Sequence, residues 1–194
     1  DLSLSTFLDE VLSYYETKSK SARNLDEYEG IRRYLLSSML QGAPLNLVNG
    51  KTLKFGNGLF EDIFGRQMED MKNIFVISII GAQSSAKSTL LNVLFGCGFS
   101  TSAGRCTKGI YISLLHHPSG FKIIVIDTEG LLSVVARDHE FDNLITTMAF
   151  SCSHVVIINN KGEINAKLRD LLEICVYAMK HLKLTTIKPK IIFA

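Results

Sequence analysis

The sequence is short of several things, and each shortage removes a class of function. Net charge is only +2 over 194 residues, and Lys and Arg are scattered, not run together. Bulk electrostatics therefore favour neither nucleic acid nor an acidic membrane surface. No apolar run is long enough to span a bilayer, and no signal peptide opens the chain. The longest such run, residues 74–80, has the length of a strand. The four cysteines, Cys97, Cys106, Cys152 and Cys175, make no CxxC pair and no repeating spacing. That argues for reduced thiols in a cytoplasmic domain and against a disulfide framework or a zinc site. His116, His117 and Cys106 form no recognisable ligand set. Internal repeats and low-complexity segments are absent.

What is present is an apolar content of 46%, enough to bury a core. The first residue is Asp1, not Met, which suggests a piece of a longer protein. Two regions are expected: a helical N-terminal segment over 1–43 and an α/β domain over 44–194. In the first, Leu4, Phe7, Leu8, Val11, Leu12 and Tyr15 recur at helical spacing. Asn24 is placed to cap a second helix with Asp26 and Glu27 in its first turn. Leu25, Tyr28, Leu35, Leu36 and Met39 give that helix an apolar face, and Gly42 and Pro44 end it.

Residues 45–72 read as an entering segment: Leu45, Leu47 and Val48, a turn at Asn49-Gly50, then Leu53 and Phe55, and a helix over 59–71. From residue 73 strands and helices alternate. Strands are expected over 74–80, 110–115, 121–126, 155–158 and from 191, with helices over 88–95 and 164–182. The link 116–120 is short, so the strands on either side pair antiparallel. This alternation predicts an open, mostly parallel sheet with one antiparallel strand and helices on both faces.

Three motifs carry chemistry. The first follows the buried strand: Gly81-Ala82-Gln83-Ser84-Ser85-Ala86-Lys87-Ser88, then Thr89. This is a phosphate-binding P-loop with Ala86 at the second glycine position. Its backbone N–H groups and the helix N-terminus suit phosphate, Lys87 reaches the outer phosphates and Ser88 suits Mg²⁺. The bland alternative is a strand–turn–helix that happens to hold Lys-Ser. The second motif, Asp127-Thr128-Glu129-Gly130, sits at the end of another buried strand. Asp127 can hold Mg²⁺ through water and Gly130 can offer a backbone N–H to a γ-phosphate. The third, Gly104-Arg105-Cys106-Thr107-Lys108-Gly109, is a loop whose Thr107 can close over Mg²⁺ and phosphate. Arg105 reads as a solvated loop arginine, with a charge-stabilising finger or a pair across a dimer as the alternatives. Residues 137–140, Arg137, Asp138, His139 and Glu140, read as solvated, and His154 as a histidine opening a strand.

From about residue 44 onward the sequence resembles the interferon-inducible very large GTPases of the dynamin superfamily. More distantly it is similar to guanylate-binding proteins and atlastins. The resemblance rests on residues 44–50, on 81–92 with Leu94-Phe95-Gly96, on 104–109 and on 127–131. It implies a P-loop G domain that binds GTP and releases GDP with Mg²⁺, and hydrolysis promoted by homodimerisation or higher self-assembly. It implies water placement by Gln83 and phosphate contact by Ser84. Guanylate-binding proteins carry an arginine at that serine position, so Ser84 excludes their finger. The catalytic set is then Gln83, Ser84, Lys87 and Thr107. Nucleotide contacts come from residues 81–89 (Gly81, Ala82, Gln83, Ser84, Ser85, Ala86, Lys87, Ser88 and Thr89) with Gly130. The metal set is Ser88, Thr107 and Asp127.

Two departures qualify that reading. Ala86 replaces the family's glycine, and in a left-handed backbone its β-carbon costs about 1–2 kcal/mol. The residues that read guanine are expected beyond Ala194. A nucleotide-defective pseudo-GTPase scaffold and a P-loop ATPase therefore stay open beside the GTPase.

Overall fold

The computed structural model describes residues 10–11, 13–14, 17, 26–49, 73–101, 109–131, 139–160, 166–181 and 188–194. Its strands are β1 (Leu45–Asn49), β2 (Ile74–Gly81), β3 (Gly109–His116), β4 (Lys122–Thr128), β5 (Val155–Asn159) and β6 (Lys190–Phe193). Its helices are α1 (Asp26–Leu40), α2 (Lys87–Phe95), α3 (His139–Cys152) and α4 (Ala166–His181). The strands form one sheet in the order β1-β3-β4-β2-β5-β6.

β2 is the pivot of the sheet. It pairs parallel with β4 on one side and with β5 on the other. β6 extends the parallel half, and β3 runs antiparallel to β4. The expected antiparallel pair is therefore present, and the sheet is mixed and mostly parallel. After β2 the chain first builds one side of the sheet and then crosses to the other. In open α/β sheets a crevice for ligand lies at such a reversal, outside the C-terminal ends of the strands.

Alternation along β2 divides the core. Ile77 and Ile79 join Leu91 of α2, Phe99, Val125 and Ile157 on one face. Ile80 joins Ile126, Val156 and Ile158 with residues of α1, α3 and α4 on the other. Tyr28, Leu35 and Met39 of α1 are buried there, as their spacing predicts. α1 ends in a Schellman turn, in which the Gly42 N–H reaches Met39 O (3.0 Å) and the Ala43 N–H reaches Ser38 O (2.9 Å).

Three findings add to or adjust the sequence reading. β1 is a full strand of the sheet, antiparallel to β3 with Leu45 opposite Ile112. β4 extends through Asp127 and Thr128, so that aspartate sits within the strand's end and not after it. Residues 139–140, expected to be merely solvated, open α3, which buries Phe141, Ile145, Ala149 and Phe150. Leu53, Phe55, the helix expected over 59–71 and most of the first N-terminal helix lie outside the described residues.

Candidate functional site

The parallel pairing of β2 and β5 ends at Gly81 opposite Asn159, and the chain turns into the loop there. A β-carbon on Gly81 would stand 2.2 Å from the Asn159 carbonyl oxygen, so only glycine allows this approach. The loop curls back on itself. Ser84 and Ala86 both adopt left-handed backbones, with φ of 59° and 63°. Ala86 is the N-cap of α2 and makes no side-chain capping bond. The first-turn N–H groups of α2 therefore receive no cap from that side chain, which suits an anion.

The conditional cost of Ala86 is thus realised, because its backbone is left-handed. Ala86→Gly removes about 1–2 kcal/mol of strain but adds glycine's entropic cost of about 0.5–1 kcal/mol. The expected net gain is about 0.5–1 kcal/mol, read as a melting midpoint higher by about 1–4 °C. A lower midpoint would show that the loop is not strained at this residue.

Lys87 lies beneath the loop and is buried. Its Nζ donates to Gly81 O (3.2 Å) and Ala82 O (3.0 Å). Burial pushes the ammonium's pKa below the usual lysine value, and the nearby negative charges of Asp127 and Glu129 pull it partly back. Beside it, the Ser88 hydroxyl donates to Asp127 Oδ2 at 2.6 Å. Two hard oxygen atoms, one from the start of α2 and one from the end of β4, thus stand side by side.

The segment 127–131 is clamped on both sides. Thr128 Oγ1 donates to Ile79 O at 2.7 Å. The Leu131 N–H donates to Gly81 O and the Gln83 N–H to Leu131 O, both at 3.0 Å, forming a short parallel bridge with the loop. On the other flank the Gly109 N–H donates to the buried Glu129 carboxylate (2.8 Å), and the Glu129 N–H donates to Gly109 O (2.7 Å). Gly130 lies so close to the loop that an added β-carbon would meet Gln83 Cα at 2.4 Å. Gly130→Ala is therefore expected to push the two segments apart and weaken phosphate binding by at least about tenfold, an effect of the size overpacking produces. A nucleotide titration checks this, and wild-type affinity would contradict the packing.

The structure thus brings Gly81, Ala82, Gln83, Ser84, Ser85, Ala86, Lys87, Ser88, Thr89, Asp127 and Gly130 to one end of the sheet. Ser84, Ala86 and Thr89 are exposed there, whereas Ser85 and Lys87 are buried. Thr107, Arg105 and Cys106 lie outside the described residues. His154 opens β5 as expected. Its Nδ1 accepts the Val76 N–H at 3.0 Å, and its ring stacks on Phe75. Sequence reasoning did not single out two residues. Glu129 joins Gly109 to the loop side. Asn159, at the end of β5, donates from Nδ2 to Ser85 O at 2.5 Å. Glu129 is signalled only by its place in a short motif, and Asn159 only by following a buried strand.

A strand–loop–helix with a buried lysine, a Ser–Asp pair and a clamped Asp-Thr-Glu-Gly segment is an arrangement that can receive phosphate. The whole chain, residues 1–194, matches the URGCP-like GTPase domain. It belongs to that family. Interferon-induced very large GTPase 1 of Mus musculus is 33% identical over 99% of this chain, and the human protein of that name is 30% identical over 99%. Up-regulator of cell proliferation from Bos taurus is 29% identical over 81%. The chain spans 8% of the length of the first two relatives and 19% of the third. The Gly81–Thr89 loop and the Asp127–Leu131 clamp both lie within that matched domain.

Proposed function

We propose that this domain binds GTP with Mg²⁺ and hydrolyses it, with turnover promoted by pairing of two such domains. The observation that carries the reading is the buried Lys87 under the loop, next to the Ser88–Asp127 pair. In this reading Lys87 and the loop N–H groups stabilise negative charge developing on the transferred phosphate. Gln83 orients the attacking water, Ser84 and Thr89 contact phosphate oxygens, and the Gly130 N–H meets the γ-phosphate. Ser88 and Thr107 would hold Mg²⁺ directly, and Asp127 would hold it through water.

The donor set fits that ion. Ser88 Oγ and Asp127 Oδ2 are hard oxygens 2.6 Å apart. No cluster of three or more His, Cys, Asp or Glu able to hold a metal occurs among the described residues. When bound, the ion neutralises charge on the β- and γ-phosphate oxygens.

Guanine is favoured because the relatives are named as GTPases. Pairing of domains, a cytoplasmic setting and the division into a 1–43 helical segment and a 44–194 GTPase domain complete the reading. No helix among the described residues is long and apolar enough to cross a membrane.

The test is GTP binding and turnover by the intact protein and by its Ala86→Gly variant. Turnover per molecule that rises with protein concentration supports pairing. GTP preferred over ATP in competition supports the base assignment. Neither binding nor turnover in either protein overturns the reading. The strained Ala86 favours one rival, a scaffold that has lost its nucleotide. Tight GTP or GDP binding by the unaltered protein, measured by calorimetry, removes that rival.

A further inference from the structure

The geometry points to Asn159 as the residue that holds the phosphate loop in its binding shape around Ala86. This rests on the nucleotide-binding reading above. Three observations meet at one peptide bond, the one between Ser85 and Ala86. Its carbonyl oxygen accepts the Asn159 Nδ2–H at 2.5 Å in a buried setting. Its nitrogen belongs to Ala86, whose φ is 63° where a β-carbon is penalised. Asn159 itself is fixed by β5, with its backbone packed against Gly81 at the start of the loop.

A trans peptide points its C=O and N–H in opposite directions. Pinning Ser85 O outward onto Asn159 therefore turns the Ala86 N–H the other way, toward the mouth of α2 where an anion sits. Rotating that one peptide would carry Ala86 out of the left-handed region and relieve its strain. It would also replace an inward N–H with an inward carbonyl, which repels phosphate. A glycine at position 86 has no drive to rotate, but alanine does. The Asn159 hydrogen bond opposes that drive, and a buried hydrogen bond is of comparable size to the left-handed penalty. Asn159 is thus a positioning residue. It acts through the Ser85–Ala86 peptide, and this chain depends on it because its loop carries Ala86.

The test is a double-mutant cycle on GTP affinity in the intact protein, with Asn159→Ala, Ala86→Gly and both together. Asn159→Ala is expected to weaken GTP binding about tenfold. In the Ala86→Gly background the same change is expected to cost no more than about threefold, because glycine needs no restraint. A residue that merely supported β5 would lower affinity and melting midpoint by the same factor in both backgrounds. Equal losses in the two backgrounds, or no loss on Asn159→Ala, overturn the assignment. Should Asn159→Ala fail to fold, the cycle is run with Asn159→Ser, whose side chain is polar but too short to reach Ser85 O. If neither the unaltered protein nor Ala86→Gly binds GTP, the nucleotide reading itself fails and takes this assignment with it. If both bind and the cycle is additive, the reading stands and the assignment falls.

Discussion

Replacing Gly81 by alanine is expected to destabilise the domain by about 3 kcal/mol or more and to remove nucleotide binding. The added β-carbon would lie 2.2 Å from the Asn159 carbonyl oxygen and 3.2 Å from its carbonyl carbon. Both are backbone atoms, so no rotamer change relieves the clash. β2 and β5 must separate where they pair at Gly81–Asn159. That separation also withdraws Gly81 O from the Leu131 N–H and from the Lys87 ammonium. For a domain of this size the melting midpoint should fall by about 6–12 °C. Gly30→Ala is the matched control. It lies in α1, its added β-carbon meets nothing within 4 Å, and alanine there should be neutral or stabilising by about 0.5–1 kcal/mol. Thermal melts of the two variants decide the matter, and a Gly81→Ala midpoint close to that of Gly30→Ala would mean the strands are not packed as described.

How much of this was legible in the sequence depended on whether the signal was local. The apolar run 74–80 followed by Gly81 marked β2 and its loop, because a strand buried on both faces is written as continuous β-branched residues. Asp127 was legible for the same reason. The helix His139–Cys152 carried a usable pattern that charge obscured. His139 and Glu140 read as solvated together with Arg137 and Asp138, yet acids such as Glu140 and Asp142 belong in a helix's first turn and Phe141, Ile145 and Ala149 recur at four-residue steps. β1 was visible as apolar residues, but its partner β3 lies far along the chain, and no local pattern encodes that register. The status of Ala86 was legible as a position and not as a conformation. Its alanine is in the sequence, whereas its positive φ follows from the Ser85 carbonyl being held by Asn159. That hydrogen bond joins residues far apart in the chain through tertiary structure alone.

Lys87→Ala should reduce GTP turnover by about 10²–10³-fold, the usual effect of losing one group that stabilises transition-state charge. Affinity should fall at least about tenfold. Stability should change far less, because two consequences oppose each other. Removing the side chain leaves Gly81 O and Ala82 O without its donated hydrogen bonds, which destabilises the loop. It also removes a buried ammonium whose charged form is disfavoured by burial, which relieves a cost of folding. Asp127 and Glu129 lower that cost in the native protein, so the relief is partial. The expected signature is therefore a deep loss of function with a modest shift in melting midpoint, the reverse of Gly81→Ala, in which function is lost through the fold. A Lys87→Ala protein that binds and hydrolyses GTP normally would detach the lysine from the phosphates. One that unfolds outright would make it a structural residue of the loop. Between those outcomes, the separation of function from stability is what distinguishes a buried charge kept for phosphate from one kept for packing.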